Sequence, residues 1–162
     1  MQKEEAFVAL IKQNEGLIFK ITTMYTDHRA DQQDLYQDIV YQLWKSFDSF
    51  RSESKISTWM YRIALNTALT RIRKKKRLGN SVSIDQVILK QTENYDQHFE
   101  ERLKIVYAQV RKLNVVEKGL IFLFLEGKKY VEIAEITGLT PTNVGTKISR
   151  IKQKLKQQII KK

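Results

Sequence analysis

The residues of this sequence best suited to contact a polyanion lie on one helical face within the segment 59–77. They recur at the spacing of a helix with about 3.6 residues per turn: Arg62, Asn66, Thr70 and Arg73. Lys74 then begins a block of positive charge that ends at Arg77. Side chains that donate hydrogen bonds and carry positive charge, with no carboxylate among them, suit phosphates and base edges better than catalysis. The alternative is a solvated face on a largely buried helix.

The polar segment between Asp48 and Trp59 leads into this helix and could hold an unpaired DNA strand. Strand capture needs aromatic or amide groups beside a positive track for the backbone. The candidates are Phe50, Arg51, Ser52, Ser54 and Lys55. The alternative is an ordinary solvated loop whose Phe50 packs on the core. We also expect Ser57 or Thr58 to cap the following helix.

A third set of polar residues lies on the last long helix, with small side chains first and basic ones after: Thr142, Asn143, Thr146, Lys147 and Arg150. A short helix at 130–137 precedes it and ends at Gly138, and Thr140 should cap the last helix with Pro141 at its first position. This is the layout of a helix-turn-helix, whose second helix meets base edges. Many such helix pairs bind nothing, so the layout alone leaves the function open.

The segment 31–50 has the clearest division into two faces. Its apolar residues are spaced four apart and predict a buried stripe: Leu35, Ile39, Leu43 and Phe47. The opposite face is polar and acidic: Asp34, Gln37, Asp38, Tyr41 and Lys45. A divalent metal at Asp34 and Asp38 is disfavoured, because no histidine lies near them and no third carboxylate is expected opposite them. We therefore predict a surface that docks another protein.

Charge and composition agree with two kinds of partner. The 162 residues carry a formal net charge of +11, with +8 in 51–77, +6 in 129–162 and −3 in 31–50. Two separate basic regions predict two contacts with a polyanion, and the acidic region predicts a surface turned to a different partner. The sequence has no cysteine and two isolated histidines, so we expect neither an enzyme nor a cofactor. No apolar run approaches the roughly 20 residues that span a bilayer, which predicts a cytoplasmic protein without membrane insertion.

The elements that position these residues are predicted to be helical nearly everywhere, giving an all-α fold in two small domains. The first domain is expected at 1–77, and residues 4–25 should form one helix in it. The apolar pattern stops at 78–98, which we predict to be a flexible linker. The second domain, at 99–162, should hold four helices. One ends near Leu113, one opens with a capping box at Asn114 and Glu117 and closes at Gly127, and the last two form the helix-turn-helix.

Three stretches resemble, in order and spacing, the signature regions of the small two-domain sigma factors of the extracytoplasmic-function (ECF) group. They are DLYQDIVYQLW, STWMYRIALNTALTRIRKKKR and KKYVEIAEITGLTPTNVGTKISRIKQKL. The resemblance covers nearly the whole chain. It implies a promoter-specificity subunit whose first domain docks on RNA polymerase core and melts the minus-ten element, and whose second domain binds the minus-thirty-five element. Promoter DNA and polymerase core are thus the implied partners, and an anti-sigma factor is a further one.

Carried over by residue, the resemblance places polymerase docking at Asp34, Gln37 and Asp38, with Tyr41 on the same face. It places minus-ten contacts at Arg62, Asn66 and Arg73 and minus-thirty-five contacts at Thr142, Asn143, Lys147 and Arg150. The sequence departs from the family pattern at three positions. Thr70 stands where an aspartate is common, and Gly119 and Gly145 stand where long basic residues are usual.

Two other functions are considered. A stand-alone helix-turn-helix regulator that binds duplex DNA as a dimer explains the second domain equally well. It does not explain a second basic, aromatic segment beside an acidic docking face. A nuclease or other metal enzyme lacks any constellation of histidine and carboxylate in the sequence.

Overall fold

The structure is a computed structural model that describes residues 2–50, 55–77, 105, 106 and 108–160. Every regular element in these ranges is helical, so the predicted all-α fold is confirmed. The chain divides into two compact units, Met1–Ser83 (unit 1) and Ile84–Lys162 (unit 2). The linker predicted at 78–98 lies outside the described residues, as do Arg51 and Ser54.

The described helices of unit 1 are α1 (Gln2–Gln13), α2 (Glu15–Tyr25), α3 (Arg29–Ser46) and α4 (Ile56–Arg77), with a 3₁₀ turn at Phe47–Ser49. Helix α3 packs on both α2 and α4. Its predicted stripe is buried at Leu35, Ile39 and Leu43, whereas Phe47 is half-buried and meets Phe7 and Trp59 edge-on. Burial of this stripe leaves the acidic face of α3 at the surface.

The single helix predicted over 4–25 is wrong, because the chain breaks at Asn14. The Asn14 side-chain amide donates to the Leu10 carbonyl oxygen at 2.9 Å, and its N–H donates to the Ile11 carbonyl oxygen at 3.1 Å. Asparagine commonly offers the backbone such local bonds in competition with the helix. The apolar stripe nevertheless stays buried on both sides of the break: Phe7, Ile18, Ile21 and Tyr25.

The cap predicted at Ser57 or Thr58 is also wrong, because α4 begins at Ile56. The Trp59 N–H donates to the Lys55 carbonyl oxygen at 3.2 Å, so Lys55 occupies the position immediately before the first turn. Thr58 is fully buried within that turn. Both hydroxyl residues therefore lie inside the first turn of α4 and do not precede it as a cap would.

Unit 2 has helical residues at 108–111, followed by α5 (Val115–Leu125), α6 (Tyr130–Thr137) and α7 (Pro141–Ile160). The predicted capping box opens α5. The Glu117 N–H donates to Asn114 Oδ1 at 2.9 Å, and the Asn114 N–H donates to Glu117 Oε1 at 3.2 Å. Helices α5, α6 and α7 pack on one another around a shared core, which includes Leu120, Leu123, Ile133, Val144, Ile148 and Ile151.

Glycines close α5 and α6 as the sequence predicts. Gly127 and Gly138 have φ angles of +84° and +83°, the left-handed conformation that glycine adopts without steric cost. Thr140 Oγ1 then accepts a hydrogen bond from the Asn143 N–H at 3.1 Å, and Pro141 is the first residue of α7. The two helices therefore meet through a short turn, as in a helix-turn-helix.

Candidate nucleic-acid interface and docking face

Helix α4 carries a polar strip along the side opposite its core contacts. Arg62, Asn66 and Arg73 are exposed and share this strip, with Thr70 between them. The core side of the helix is formed by Met60, Ala64 and Ala68, all fully buried. Lys74 is exposed beside the strip. The structure thus brings the predicted minus-ten residues of α4 together on one accessible surface.

The segment before α4 is only partly described. Phe50 is half-buried, and its ring lies 5.1 Å from the Trp59 ring between centroids. This contact favours the alternative in which Phe50 packs on the core. A ring face that packs against Trp59 is not available for a base to stack on. Lys55 is exposed at the start of α4, which places one positive charge of the predicted track next to the polar strip.

Helix α7 presents a second polar surface. Thr142, Asn143, Thr146 and Arg150 are exposed and Lys147 is half-exposed, while Val144, Ile148, Ile151 and Leu155 are buried as predicted. The Thr146 hydroxyl donates its proton to the Thr142 carbonyl oxygen at 3.1 Å. Its oxygen can therefore act toward a nucleic acid as a hydrogen-bond acceptor. Asn143 uses only its backbone N–H for the cap at Thr140, which leaves the cap independent of its side-chain amide.

Gly145 has a packing role that the sequence did not predict. A Cβ atom at this position would lie 3.3 Å from Tyr130 Cε2 and 3.4 Å from Tyr130 Cδ2. The Tyr130 ring also lies 6.5 Å from the Phe124 ring, over which Lys152 Nζ lies at 3.9 Å. Gly145 therefore lets an aromatic ring of α6 approach the backbone of α7 closely. The other departure, Gly119, is buried within α5.

The acidic face of α3 is accessible and is paired with α4. Asp34, Gln37, Asp38 and Tyr41 are all exposed. Arg71 Nη1 lies 2.7 Å from Asp38 Oδ2, and Arg71 Nη2 lies 3.6 Å from Asp34 Oδ2. Sequence reasoning missed Arg71. The available signal was its spacing, because it continues the buried row of Met60, Ala64 and Ala68 along α4.

An open apolar groove lies beside the acidic face, between α1 and α3. Its volume is about 540 Å³, and the residues along it include Phe7, Val8, Val40 and Trp44 as well as Gln37 and Tyr41. Val8 and Tyr41 are about half exposed. The predicted docking residues thus combine carboxylates with an adjoining apolar surface, as in protein–protein interfaces that have an apolar centre and a charged rim.

The described part of the chain holds no group of three or more histidine, cysteine or acidic residues placed to bind a metal ion. None of its helices is long and apolar enough to cross a membrane. The Asp34 and Asp38 carboxylates are bound instead by the Arg71 guanidinium.

Two family models match this chain. The model of sigma-70 region 2 matches residues 10–78, and the model of sigma-70 region 4 matches residues 103–155. The first match contains α3 and α4 with the docking face and the polar strip. The second contains α5, α6 and most of α7. The docking face, the polar strip of α4 and the polar surface of α7 therefore all lie within matched regions.

Similar proteins agree with these models over nearly the full chain. The ECF RNA polymerase sigma-E factor of Haemophilus influenzae is 29% identical, over 96% of this chain and 88% of its own length. RNA polymerase sigma factor SigV of Bacillus subtilis is 26% identical, over 99% of this chain and 98% of its own length.

Solved structures share the fold. The sigma factor RpoE of Bartonella quintana, in complex with the anti-sigma factor NepR, has a TM-score of 0.77 and 20% identity over 97% of this chain and 98% of its own. CnrH, in complex with the cytosolic domain of CnrY, has a TM-score of 0.68 and 20% identity over 96% of this chain and 88% of its own. With regions 2 and 4 matched in order over well over half of its residues, this chain belongs to the sigma-70 family, as an extracytoplasmic-function sigma factor.

Proposed function

We propose that this sigma factor, a promoter-specificity subunit of RNA polymerase, docks on polymerase core through α3, contacts the minus-ten element with α4 and contacts the minus-thirty-five element with α7. One observation carries the proposal. Two exposed basic surfaces lie in two different units, and the first shares its unit with an exposed acidic face. A regulator that binds only duplex DNA has no use for the acidic face or for a second basic surface.

The docking surface consists of Asp34, Gln37, Asp38 and Tyr41, together with the apolar groove beside them. A partner suited to it presents basic side chains to the carboxylates and an apolar edge to Val8 and Val40. Attraction between opposite charges would speed association, and burial of the groove would supply most of the affinity. An anti-sigma factor is a further proposed partner, because the Bartonella quintana sigma factor of similar fold was solved with one.

The polar strip on α4 suits a strand that has left the duplex. Asn66 can hydrogen-bond to the edge of an unstacked base, and Arg62 and Arg73 can pair with backbone phosphates on either side. Lys55 extends the positive track toward the start of the helix. We also assign Arg51 and Ser54 to this track, because a positive charge and a hydroxyl in the segment leading into α4 suit a strand backbone; both lie outside the described residues.

The polar surface on α7 suits the major groove of duplex DNA. Thr142 and Asn143 lie in the first turn, where a recognition helix contacts base edges. An asparagine amide can bridge the donor and the acceptor of adenine. Lys147 and Arg150 lie one to two turns later, where phosphates are within reach. Thr146 lies between the two groups and offers acceptor pairs to a base donor.

The proposal is tested by combining the chain with purified bacterial core polymerase and a random DNA library. Sequencing the transcripts then identifies the promoter that is used. We expect a stable complex with core and specific initiation. Replacing Gln37 and Tyr41 together by alanine should weaken core binding without changing helicity. Replacing Asn66 by alanine should preserve core binding and closed complexes but reduce permanganate reactivity of unpaired thymines. Specific binding to duplex DNA by the chain alone, with no complex with core, would instead establish the stand-alone regulator.

A further inference from the structure

Helix α4 is held to unit 1 by two different kinds of contact along its length. Its last fully buried residue is Ala68. Beyond it, Leu69 and Ile72 are only half-buried, and the next positions on the core-facing row are Arg71 and Lys75. The carboxyl-terminal half of α4 therefore continues past the apolar core.

Ionic contacts take over where the apolar row ends. Besides its 2.7 Å contact with Asp38, Arg71 lies 3.6 Å from Asp34 and 3.8 Å from Asp31. Lys75 Nζ lies 3.2 Å from Asp31 Oδ1. Two cations of α4 thus face three carboxylates of α3. Arg71 contacts all three of these carboxylates, and Lys75 contacts one of them.

The Arg71 side chain depends on these carboxylates more than a surface arginine would. It is only 22% exposed, and its Nε is buried without a hydrogen-bond partner among the described residues. A guanidinium that has lost part of its hydration needs anionic partners, and its fork can contact two carboxylates at once. A lysine at the same position would supply a single point charge.

The same stretch of α4 carries residues assigned above to promoter contact. Arg73 and Lys74 lie within three residues of Arg71, on the exposed side of the helix. Since a helix turns as a nearly rigid rod, fixing Arg71 against α3 fixes the direction in which Arg73 points. Without that contact, the restraints that the described residues place on this end would be the half-buried Leu69 and Ile72 and the Lys75–Asp31 ion pair.

We infer that Arg71, supported by Lys75, is a positioning residue that anchors the carboxyl-terminal half of α4 to the acidic face of α3 and so sets Arg73 and Lys74 for promoter DNA. The inference rests on the proposed function for its consequence at the promoter. It gives Asp34 and Asp38 a second task, because the carboxylates assigned to polymerase docking also hold the DNA-contacting helix in place.

Hydrogen exchange on the free protein tests the anchor without polymerase or DNA. Arg71→Gln should speed amide exchange at residues 69–77 by about two- to fivefold, the loss of a partly exposed ionic cluster. Residues 58–68 should be unaffected because their burial is apolar. Lys76→Gln is the matched control, since it removes one positive charge from the same exposed end. Equal exchange in the wild-type chain and Arg71→Gln would overturn the anchor.

Open-complex formation tests the consequence. Arg71→Gln should reduce permanganate reactivity at the promoter more than Lys76→Gln does, while core binding is retained because the docking carboxylates remain. Arg71→Lys should restore part of the loss, since it keeps the charge but not the fork. Equal losses in Arg71→Gln and Lys76→Gln would show that Arg71 acts through charge alone. If amide exchange at 69–77 is faster in Arg71→Gln but the wild-type chain supports no transcription, the proposed function is refuted while the anchor is retained.

Discussion

Replacing Gly145 by alanine tests the packing of α7, and the outcome depends on Tyr130. Gly145 is the fifth residue of α7 and has an ordinary helical backbone, since the described glycines with positive φ are Gly127 and Gly138. Alanine in a helix interior is favoured over glycine by about 1 kcal/mol, because glycine loses more backbone freedom on folding. On propensity alone, Gly145→Ala would stabilise unit 2 by that amount.

The contact with Tyr130 opposes this gain. A Cβ at 145 would stand 3.3 Å from Tyr130 Cε2, tighter than an ordinary contact, so the ring must move by a few tenths of an ångström. Tyr130 is 37% exposed and is the first residue of α6, so it can yield. A small rotation away from its rotamer costs roughly 0.5 kcal/mol. We therefore expect Gly145→Ala to stabilise unit 2 by about 0.5 kcal/mol in the wild-type chain and by about 1 kcal/mol when Tyr130 is alanine.

Hydrogen exchange of the most protected amides of α7 measures this difference. Both tryptophans, Trp44 and Trp59, lie in unit 1, so their fluorescence does not follow unit 2 and serves as the control. Exchange at the buried Ile148 and Ile151 should slow about twofold in Gly145→Ala and about fivefold when the substitution is made in the Tyr130→Ala chain. Equal slowing in both backgrounds would refute the argument that the ring constrains position 145.

Two further predictions concern the two units separately. Asn143→Ala should reduce discrimination between preferred and altered minus-thirty-five sequences by about 1–3 kcal/mol, whereas Lys147→Gln should weaken binding to all sequences and lower the log–log salt slope by about one. Equal weakening of all sequences by Asn143→Ala would show that Asn143 does not contact bases. Burial raises the pKa of the Tyr25 phenol. The free energy of unfolding of unit 1 should therefore be unaffected by this group below pH about 10 and fall above it, because the phenol ionises in the unfolded chain while it stays neutral in the folded one. Urea unfolding followed by tryptophan fluorescence should show a fall in the free energy of unfolding between pH 10 and 11.5 that is steeper in the wild-type chain than in Tyr25→Phe. The difference in slope should approach about 1.4 kcal/mol per pH unit at the upper end of this range, and identical slopes would contradict it.

Most of the helical pattern could be predicted because it rests on burial with a fixed period. The inward row of α7, Val144, Ile148, Ile151 and Leu155, is buried as its spacing requires. The capping box at Asn114 and Glu117 was also predictable, because both bonds join groups three residues apart. Such features need only local sequence, and they place the polar residues of α4 and α7 on the correct sides of their helices.

Apart from the break at Asn14, which involves local hydrogen bonds, the errors arose where contacts from elsewhere in the chain matter. Helix α4 starts ahead of the predicted caps, and Thr58 packs into unit 1 within its first turn. The packing of Gly145 was not predictable from its own helix, because the neighbouring Tyr130 ring comes from another helix. Arg71 lies 33 residues from Asp38, so pairing between them follows from the α3–α4 packing and not from the sequence spacing of either helix.

Arg71 also changes how the docking role of α3 can be tested. Reversing the charge of Asp34 and Asp38 would remove attraction for a basic partner, but it would also place positive charges against Arg71 and push the end of α4 away from α3. Loss of core binding or of promoter opening in that variant would therefore have two causes. Gln37 and Tyr41 lie on the same exposed face and along the groove, and the described ionic contacts of Arg71 are with Asp31, Asp34 and Asp38. Their double replacement is therefore expected to weaken docking without disturbing Arg71, which makes Gln37 and Tyr41 better residues than the carboxylates for testing the proposed polymerase contact.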